Sequence, residues 1–271
     1  MTRLSSFRPA LLALALTAAA GVAQAHNAWL LPASTVLSKP DWVSVDAAIS
    51  NSLFVADHAA MRLDKLVVTA PDGRAVKPEN LTQLKKRSVF DLNLEQAGTY
   101  RISVVNQGLF ASWKDAAGQT KRARGSADTL AKDIPADAKE LQVTESLGRN
   151  ESFITVGKPS ALKPHGSGLE LSFVNPADAT DHVQGERTTF VVLLDGQPAP
   201  GIDVDITRGN TQWRDKLGER TFKTDAKGQV TIDWPEAGMY WLDAKTSDDK
   251  TSLPQAKQRR LSYSATLEVL P

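Results

Sequence analysis

The chain contains no cysteine in its 271 residues. Disulfide bonds, thiolate metal ligands and thiol catalysis are therefore excluded. The fold must be stabilised by buried apolar side chains, and the hydrophobic fraction of 41% is sufficient for one large domain or two smaller ones. Aromatic residues are scarce at 6%, and only four histidines are present, which limits the candidates for a nitrogen-rich site.

Neither sign of charge is in excess. The 32 basic and 31 acidic residues give a formal net charge of +1, so the composition does not indicate a polyanionic partner. Short basic clusters occur at 85–87, 121–124 and 257–260, and acidic residues dilute each of them. We interpret these clusters as solvated surface or strand-edge protection and expect no nucleic-acid partner.

Long hydrophobic runs are lacking, apart from one near the N-terminus. Arg3 and Arg8 precede an apolar run from Ala10 to Ala20, which is followed by Ala23-Gln24-Ala25. This pattern predicts a secretory signal peptide over residues 1–25. Its apolar core is shorter than the roughly 18 residues that a membrane span needs. We therefore expect a periplasmic protein that begins at His26 and has no membrane span in the mature chain.

A period-two alternation of apolar and polar residues recurs along the chain. Val230, Ile232 and Trp234 fall on one face of such a segment, and a turn sequence at 225–228 precedes it. Repeated short strands with turns between them predict an all-β fold made of Ig-like antiparallel β-sandwiches. Only residues 126–139 favour a helix, and a proline inside this stretch limits its length.

One internal similarity predicts how the chain is divided. Residues 95–102 and 235–242 both contain Ala-Gly-x-Tyr, followed by strand-forming residues. In β-sandwiches, a tyrosine at this place commonly hydrogen-bonds back to the preceding corner. Two such corners indicate two sandwiches in tandem.

The expected domain boundaries follow from composition. We predict an N-terminal sandwich over residues 26–157 and a C-terminal Ig-like sandwich over residues 169–271. Residues 158–168 are rich in proline, glycine and serine, which is typical of an interdomain linker.

A histidine at a mature N-terminus has a special property as a ligand. Its α-amine and its imidazole Nδ1 can chelate one metal ion, and the amine, with an ordinary pKa of about 8, deprotonates readily once a cation is bound. A third nitrogen from another histidine completes a set that Cu(II) and Ni(II) prefer. We predict His26 as the chelating residue, with His58 or His182 as the further metal ligand. Both of these histidines follow an aspartate in segments that we expect to be polar loops. His165 falls in the predicted linker, which is a poor place to fix ligand geometry.

Enzyme signatures are lacking in this sequence. It has no Gly-x-Ser-x-Gly elbow, no phosphate-binding glycine loop, no His-Glu-x-x-His and no EF-hand loop. We therefore assign no catalytic residues and do not expect an enzyme.

The opening His26-Asn27-Ala28-Trp29-Leu30-Leu31-Pro32 resembles the His-x-x-Trp-x-x-Pro opening of the DUF4198 family. Further similar segments lie at 50–58, 193–201, 223–228 and 234–241. Members are exported bacterial proteins that have long been labelled a nickel-uptake component. The resemblance implies a periplasmic protein with Ig-like β domains, associated with uptake of nickel, cobalt or other transition metals through a transporter.

The resemblance extends to individual residues. His26 matches the terminal histidine of the family, and His58 matches its Asp-His segment. Members often carry His-Pro near the start of the second domain, where this chain has Asn175-Pro176. If the histidine of that His-Pro segment is a metal ligand in other members, this protein either lacks it or uses His182 in its place.

Three functions remain open at this point. The first is a periplasmic accessory protein that binds Ni, Co or Cu for handling or uptake. The second is a metal-independent Ig-like module that binds a protein or a glycan, since sandwiches host many roles. The third is a copper-dependent oxidase or monooxygenase built on the same terminal histidine.

Overall fold

The computed structural model describes residues 26–252 and 254–271. The predicted signal peptide lies outside these residues. The strands are β1 (Asn27–Pro32), β2 (Val36–Leu37), β3 (Asp41–Ser50), β4 (Ala59–Ala60), β5 (Leu66–Thr69), β6 (Ala75–Val76), β7 (Glu79–Gln83), β8 (Ser88–Leu94), β9 (Gly98–Lys114), β10 (Thr120–Gly125), β11 (Lys139–Val156), β12 (Leu169–Phe173), β13 (His182–Val183), β14 (Arg187–Leu194), β15 (Gln197–Pro198), β16 (Asp203–Arg208), β17 (Arg220–Lys223), β18 (Gln229–Asp233), β19 (Gly238–Asp248) and β20 (Gln258–Leu270).

Helical structure is limited to α1 (Ala127–Asp133) and two 3₁₀ turns, Pro176–Ala179 and Thr211–Trp213, within the described residues. The hydroxyl of Ser126 caps α1, and the helix ends before Pro135, as the sequence predicts. No helix in this part of the chain is long and apolar enough to cross a membrane.

The strands form three sheets. The first has the order β1-β3-β8-β7, with β4 also paired to β3. The second and largest has the order β17-β16-β19-β20-β11-β9-β5-β6, with β10, β13 and β2 at its edges. The third has the order β12-β14-β15, with β18 beside β14. Most pairs are antiparallel, whereas β11 and β20 run parallel.

Two main cores lie against the largest sheet. The first sheet covers one part of it, around Phe90, Tyr100 and Ile154. The third sheet covers another part, around Phe190 and Trp234. The prediction of an all-β fold with Ig-like antiparallel sandwiches is confirmed. The division into two domains stays a prediction, since one continuous sheet contributes to both cores.

Both predicted tyrosine corners are present. The hydroxyl of Tyr100 donates to the carbonyl of Gln96 at 3.1 Å, and that of Tyr240 donates to the carbonyl of Glu236 at 2.8 Å. Each tyrosine lies near the start of a long strand, β9 or β19, and therefore fixes how the chain enters that strand.

The segment 158–168, predicted to be a linker, is hydrogen-bonded to the largest sheet. Arg101 of β9 donates to the carbonyl of Lys163 at 2.9 Å, and Nε2 of His165 lies 2.9 Å from Oε1 of Glu151 in β11. The segment is therefore held in place rather than free to act as an open hinge.

Glu151 is the fully buried centre of this attachment. Its carboxylate accepts hydrogen bonds from Ser103 at 2.6 Å and from Tyr263 at 2.9 Å. Burial acts to raise the pKa of Glu151, but the hydrogen bond with His165 and the positive charge of Arg101 lower it below its ordinary value. The carboxylate therefore stays ionised inside the fold.

We predict that Glu151→Gln strongly destabilises the protein. The substitution leaves Arg101 and Arg149, whose guanidinium groups lie 3.8 and 3.9 Å from the carboxylate, buried without their counter-charge. Such a loss typically costs about 3–5 kcal/mol, measurable by urea unfolding at pH 7. Glu236→Gln, which breaks the exposed pair with Arg208, is the matched control and should cost less than about 1 kcal/mol. Equal losses in the two variants would contradict this assignment.

His182 is a core residue, and the expectation that it lies in a polar loop was wrong. The residue begins β13 and is 1% exposed. Its ring lies 5.2 Å from that of Trp234 and 5.7 Å from that of Phe190. Nδ1 contacts the hydroxyl of Thr188 at 3.1 Å, and Nε2 has no hydrogen-bond partner among the described residues. Burial lowers the pKa of His182 to about 4.

This burial predicts a pH-dependent stability. The unfolded chain takes up a proton at the ordinary histidine pKa of 6.5, whereas folded His182 does so only near 4. The free energy of unfolding is therefore unaffected by His182 above pH 6.5, and it decreases by about 3 kcal/mol as the pH falls from 6.5 to 4. His182→Phe should remove this part of the pH dependence in unfolding curves. An NMR titration of His182 with a midpoint at or above 6.5 would contradict the prediction.

Candidate metal centre

The end of β3 brings His26 and His58 together. β1 pairs with one edge of this strand, with Asn27 opposite Ser50. β4 pairs with the same strand, with Ala59 opposite Ile49. The two histidines immediately precede β1 and β4, so both lie beside the last residues of one strand.

The two imidazole rings are stacked at the surface. Their centroids are 3.8 Å apart and their planes are inclined by 32°. Both residues are exposed. Nδ1 of His26 donates to Oδ1 of Asn51 at 3.0 Å, which orients this ring. The structure thus brings together two of the three histidines predicted as metal ligands.

Asp57 holds the loop that carries His58. Its carboxylate accepts the backbone N–H of Asn51 at 2.8 Å and that of Ser52 at 3.0 Å. Partial burial acts to raise the pKa of Asp57, but these backbone hydrogen bonds lower it below its ordinary value. The ionised carboxylate therefore holds the two ends of the loop together, so that His58 lies beside the end of β3.

Side chains behind the histidines hold β1 and the loop still. Trp29 is 2% exposed and donates from Nε1 to the hydroxyl of Ser50 at 2.7 Å, as expected for a strand anchored in the core. Trp241 of β19 donates to the carbonyl of Ala28 at 3.0 Å. The backbone N–H of Leu53 donates to the hydroxyl of Thr211 at 3.1 Å. The histidine pair is therefore fixed to the largest sheet and to the 211–213 turn.

The chemistry of the donor groups is compatible with a nitrogen-bound metal. No three histidine, aspartate or glutamate side chains gather into a metal-binding group within the described residues. Two imidazoles alone make a weak site, and the α-amine that cleavage before His26 would create could supply a third nitrogen. The chelate also requires Nδ1, which Asn51 occupies here. Binding therefore requires His26 to release Asn51 and the stacked rings to turn, for which their exposure leaves room.

The other histidines lie elsewhere. His182 belongs to the core around Trp234, and His165 binds the buried Glu151. The structure does not bring either residue to the His26–His58 pair. Sequence reasoning missed the role of Asn51, although this residue lies in the family-like segment 50–58.

The solved structures that match this chain have low sequence identity and low TM-scores. The D0-D1 domain of intimin is 12% identical, with 89% of this chain and 97% of that chain covered and a TM-score of 0.23. An I-band fragment of titin is 11% identical, with 90% and 65% covered and a TM-score of 0.22. An alpha-2-macroglobulin of Escherichia coli is 14% identical, with 89% and 16% covered and a TM-score of 0.25. At these scores the matches carry no argument about function.

No curated protein matches the sequence. A family model does match it, over residues 23–248, and the description of that family is "Domain of unknown function (DUF4198)". The match includes the His26 opening, the 50–58 loop and both tyrosine corners. The chain is a member of the DUF4198 family.

Proposed function

We propose that the mature protein is a periplasmic accessory protein that binds Ni(II), Co(II) or Cu(II) and delivers the ion to an uptake transporter. The metal is the cargo of the protein, held by the α-amine and imidazole of His26 and by the imidazole of His58. The observation that carries this proposal is the 3.8 Å separation of the two exposed rings.

The surroundings of the histidine pair support reversible binding. Imidazole and amine nitrogens suit all three ions, and geometry then decides among them. The two histidines lie at the surface, each next to the first residue of an anchored strand. Their backbones are therefore held side by side before the metal arrives, and only the imidazole rings have to turn. An open site with three nitrogens leaves further coordination positions for a ligand from the receiving protein.

Export and metal binding are coupled in this proposal. While residue 25 is joined to His26, the nitrogen of His26 is an amide and cannot act as a basic ligand. Removal of the signal peptide creates the amine. The protein therefore becomes competent to bind metal only after it has been exported and processed.

We predict that metal affinity depends on both the free amine and His58. Cu(II) and Ni(II) titrations should be compared for protein that begins at His26, for protein that retains Ala25, and for His58→Ala. Loss of one nitrogen ligand should weaken binding at least about tenfold in each altered protein, because an amine or imidazole is removed from a set of three. Affinities should also fall below neutral pH, because protons compete for the same nitrogens.

His165→Gln is the matched control, because it removes a histidine outside the pair and keeps a donor for Glu151. It should bind metal as the unaltered protein does. If the protein that retains Ala25 binds metal with equal affinity, the α-amine of His26 is not a ligand. If His58→Ala binds metal with equal affinity, His58 is not a ligand.

A second prediction concerns Asn51. Since Asn51 and a chelated metal compete for Nδ1 of His26, Asn51→Ala should leave metal affinity unchanged or raise it by a few fold. Thermal unfolding of the metal-free variant checks that the loop stays folded. A tenfold weakening would contradict chelation through Nδ1, because it would mean that Asn51 supports a ring that binds through Nε2.

A further inference from the structure

A polar groove lies on the largest sheet beside the start of β1. It consists of two cavities, of about 240 and 490 Å³, that share Ser146, Lys245 and Ser262. His26 and Asn27 border the smaller cavity. The larger cavity falls within the roughly 300–1,000 Å³ typical of ligand pockets. We call this feature the polar groove.

Small polar residues form the floor of the polar groove. Gly148 lies opposite Ser262, and Asn150 lies opposite Ser264, where β11 pairs with β20. Ser262 and Ser264 alternate along β20 with the core residues Leu261 and Tyr263, so the floor lies on the face of the sheet that points away from that core. Its hydroxyl and amide groups can donate and accept hydrogen bonds.

Gly148 lies on the floor of the polar groove, and its backbone conformation is one that any residue can adopt. Its φ lies outside the left-handed region. A Cβ at this position would meet the Ser262 hydroxyl at 3.0 Å and the carbonyl of Asn106 at 4.0 Å. A glycine inside a strand weakens it, and it often marks a place where a ligand approaches the backbone. A side chain at this position would press against Ser262 and narrow the floor of the polar groove.

The walls of the polar groove carry more positive than negative charge. Four basic residues line it, Arg124, Arg149, Lys245 and Arg260, and Asp243 is the acidic residue among its lining side chains. Arg149 is paired with the buried Glu151. Asp243 forms a close ion pair with Lys245. Arg124 and Arg260 have no acidic partner among the described residues. The uncompensated charge is therefore that of two exposed arginines, whose planar groups bind carboxylates well.

We propose that the polar groove binds a small organic anion that carries carboxylate and hydroxyl groups. The carboxylates pair with Arg124 and Arg260, and the remaining groups hydrogen-bond to Ser262 and Asn150 on the floor. Gly148 admits the ligand to the sheet surface. The site does not depend on metal at the His26–His58 pair, although His26 lies at its border.

Calorimetric titration of citrate into metal-stripped protein tests this site, with metal removed on a chelating resin. Arg124→Gln should weaken citrate binding about tenfold through loss of a charge-assisted hydrogen bond. Gly148→Val should weaken it at least as much by filling the floor. Binding should also weaken as salt is added. Arg187→Gln, an exposed arginine of β14 that does not line the polar groove, is the matched control and should bind as the unaltered protein does.

The outcomes separate this proposal from the metal proposal. His58→Ala should bind citrate normally, because His58 does not line the polar groove, even where it loses metal. Folding of Gly148→Val is checked by its unfolding temperature, and Arg124→Gln tests the charge without altering the floor. The proposal is overturned if citrate fails to bind, if both groove variants bind it unchanged, or if a neutral polyol such as xylitol binds as tightly.

Discussion

The pairing of β3 with two short neighbours determines the geometry of the proposed metal site. β1 and β4 both pair with the last residues of β3, so His26 and His58, far apart in sequence, lie with their rings 3.8 Å apart. The hydrogen bond from buried Trp29 to Ser50 adds a side-chain link between β1 and β3. Since backbone hydrogen bonds hold the two histidines side by side, the pair forms whenever the first sheet forms.

The largest sheet connects this pair to the rest of the molecule. Trp241 binds the backbone of β1 and also borders the polar groove, so the two proposed binding regions share one wall. The buried Glu151 attaches the segment 158–168 to the same sheet through its hydrogen bond with His165. The hydroxyl groups of Ser103 and Tyr263 hold the same carboxylate in place. Because His26 also borders the polar groove, a metal ion and an anion bound at the two proposed sites would lie near each other.

Much of the fold was predictable because local rules decide it. Alternating residues such as Val230 and Ile232 are buried in β18 as the period requires, and both tyrosine corners follow from Ala-Gly-x-Tyr. Long-range pairing was not predictable in this way. The parallel contact of β11 with β20 joins distant strands without any local signal. The same limit explains the error at His182, since two neighbouring aspartates indicate a polar loop, whereas the aromatic core that buries it is formed by distant strands.

Chemistry predicted that His58 or His182 would join His26, and the structure places His58 beside it. The contact of Asn51 with His26 and the polar groove depend on strand register, which no local pattern reveals. EPR spectroscopy of Cu(II) bound to the processed, ¹⁵N-histidine-labelled protein tests the central claim most directly. The account predicts couplings to three labelled nitrogens, from the amine and imidazole of His26 and from the imidazole of His58. A spectrum with no coupling to the amine, or with a single imidazole, would contradict it.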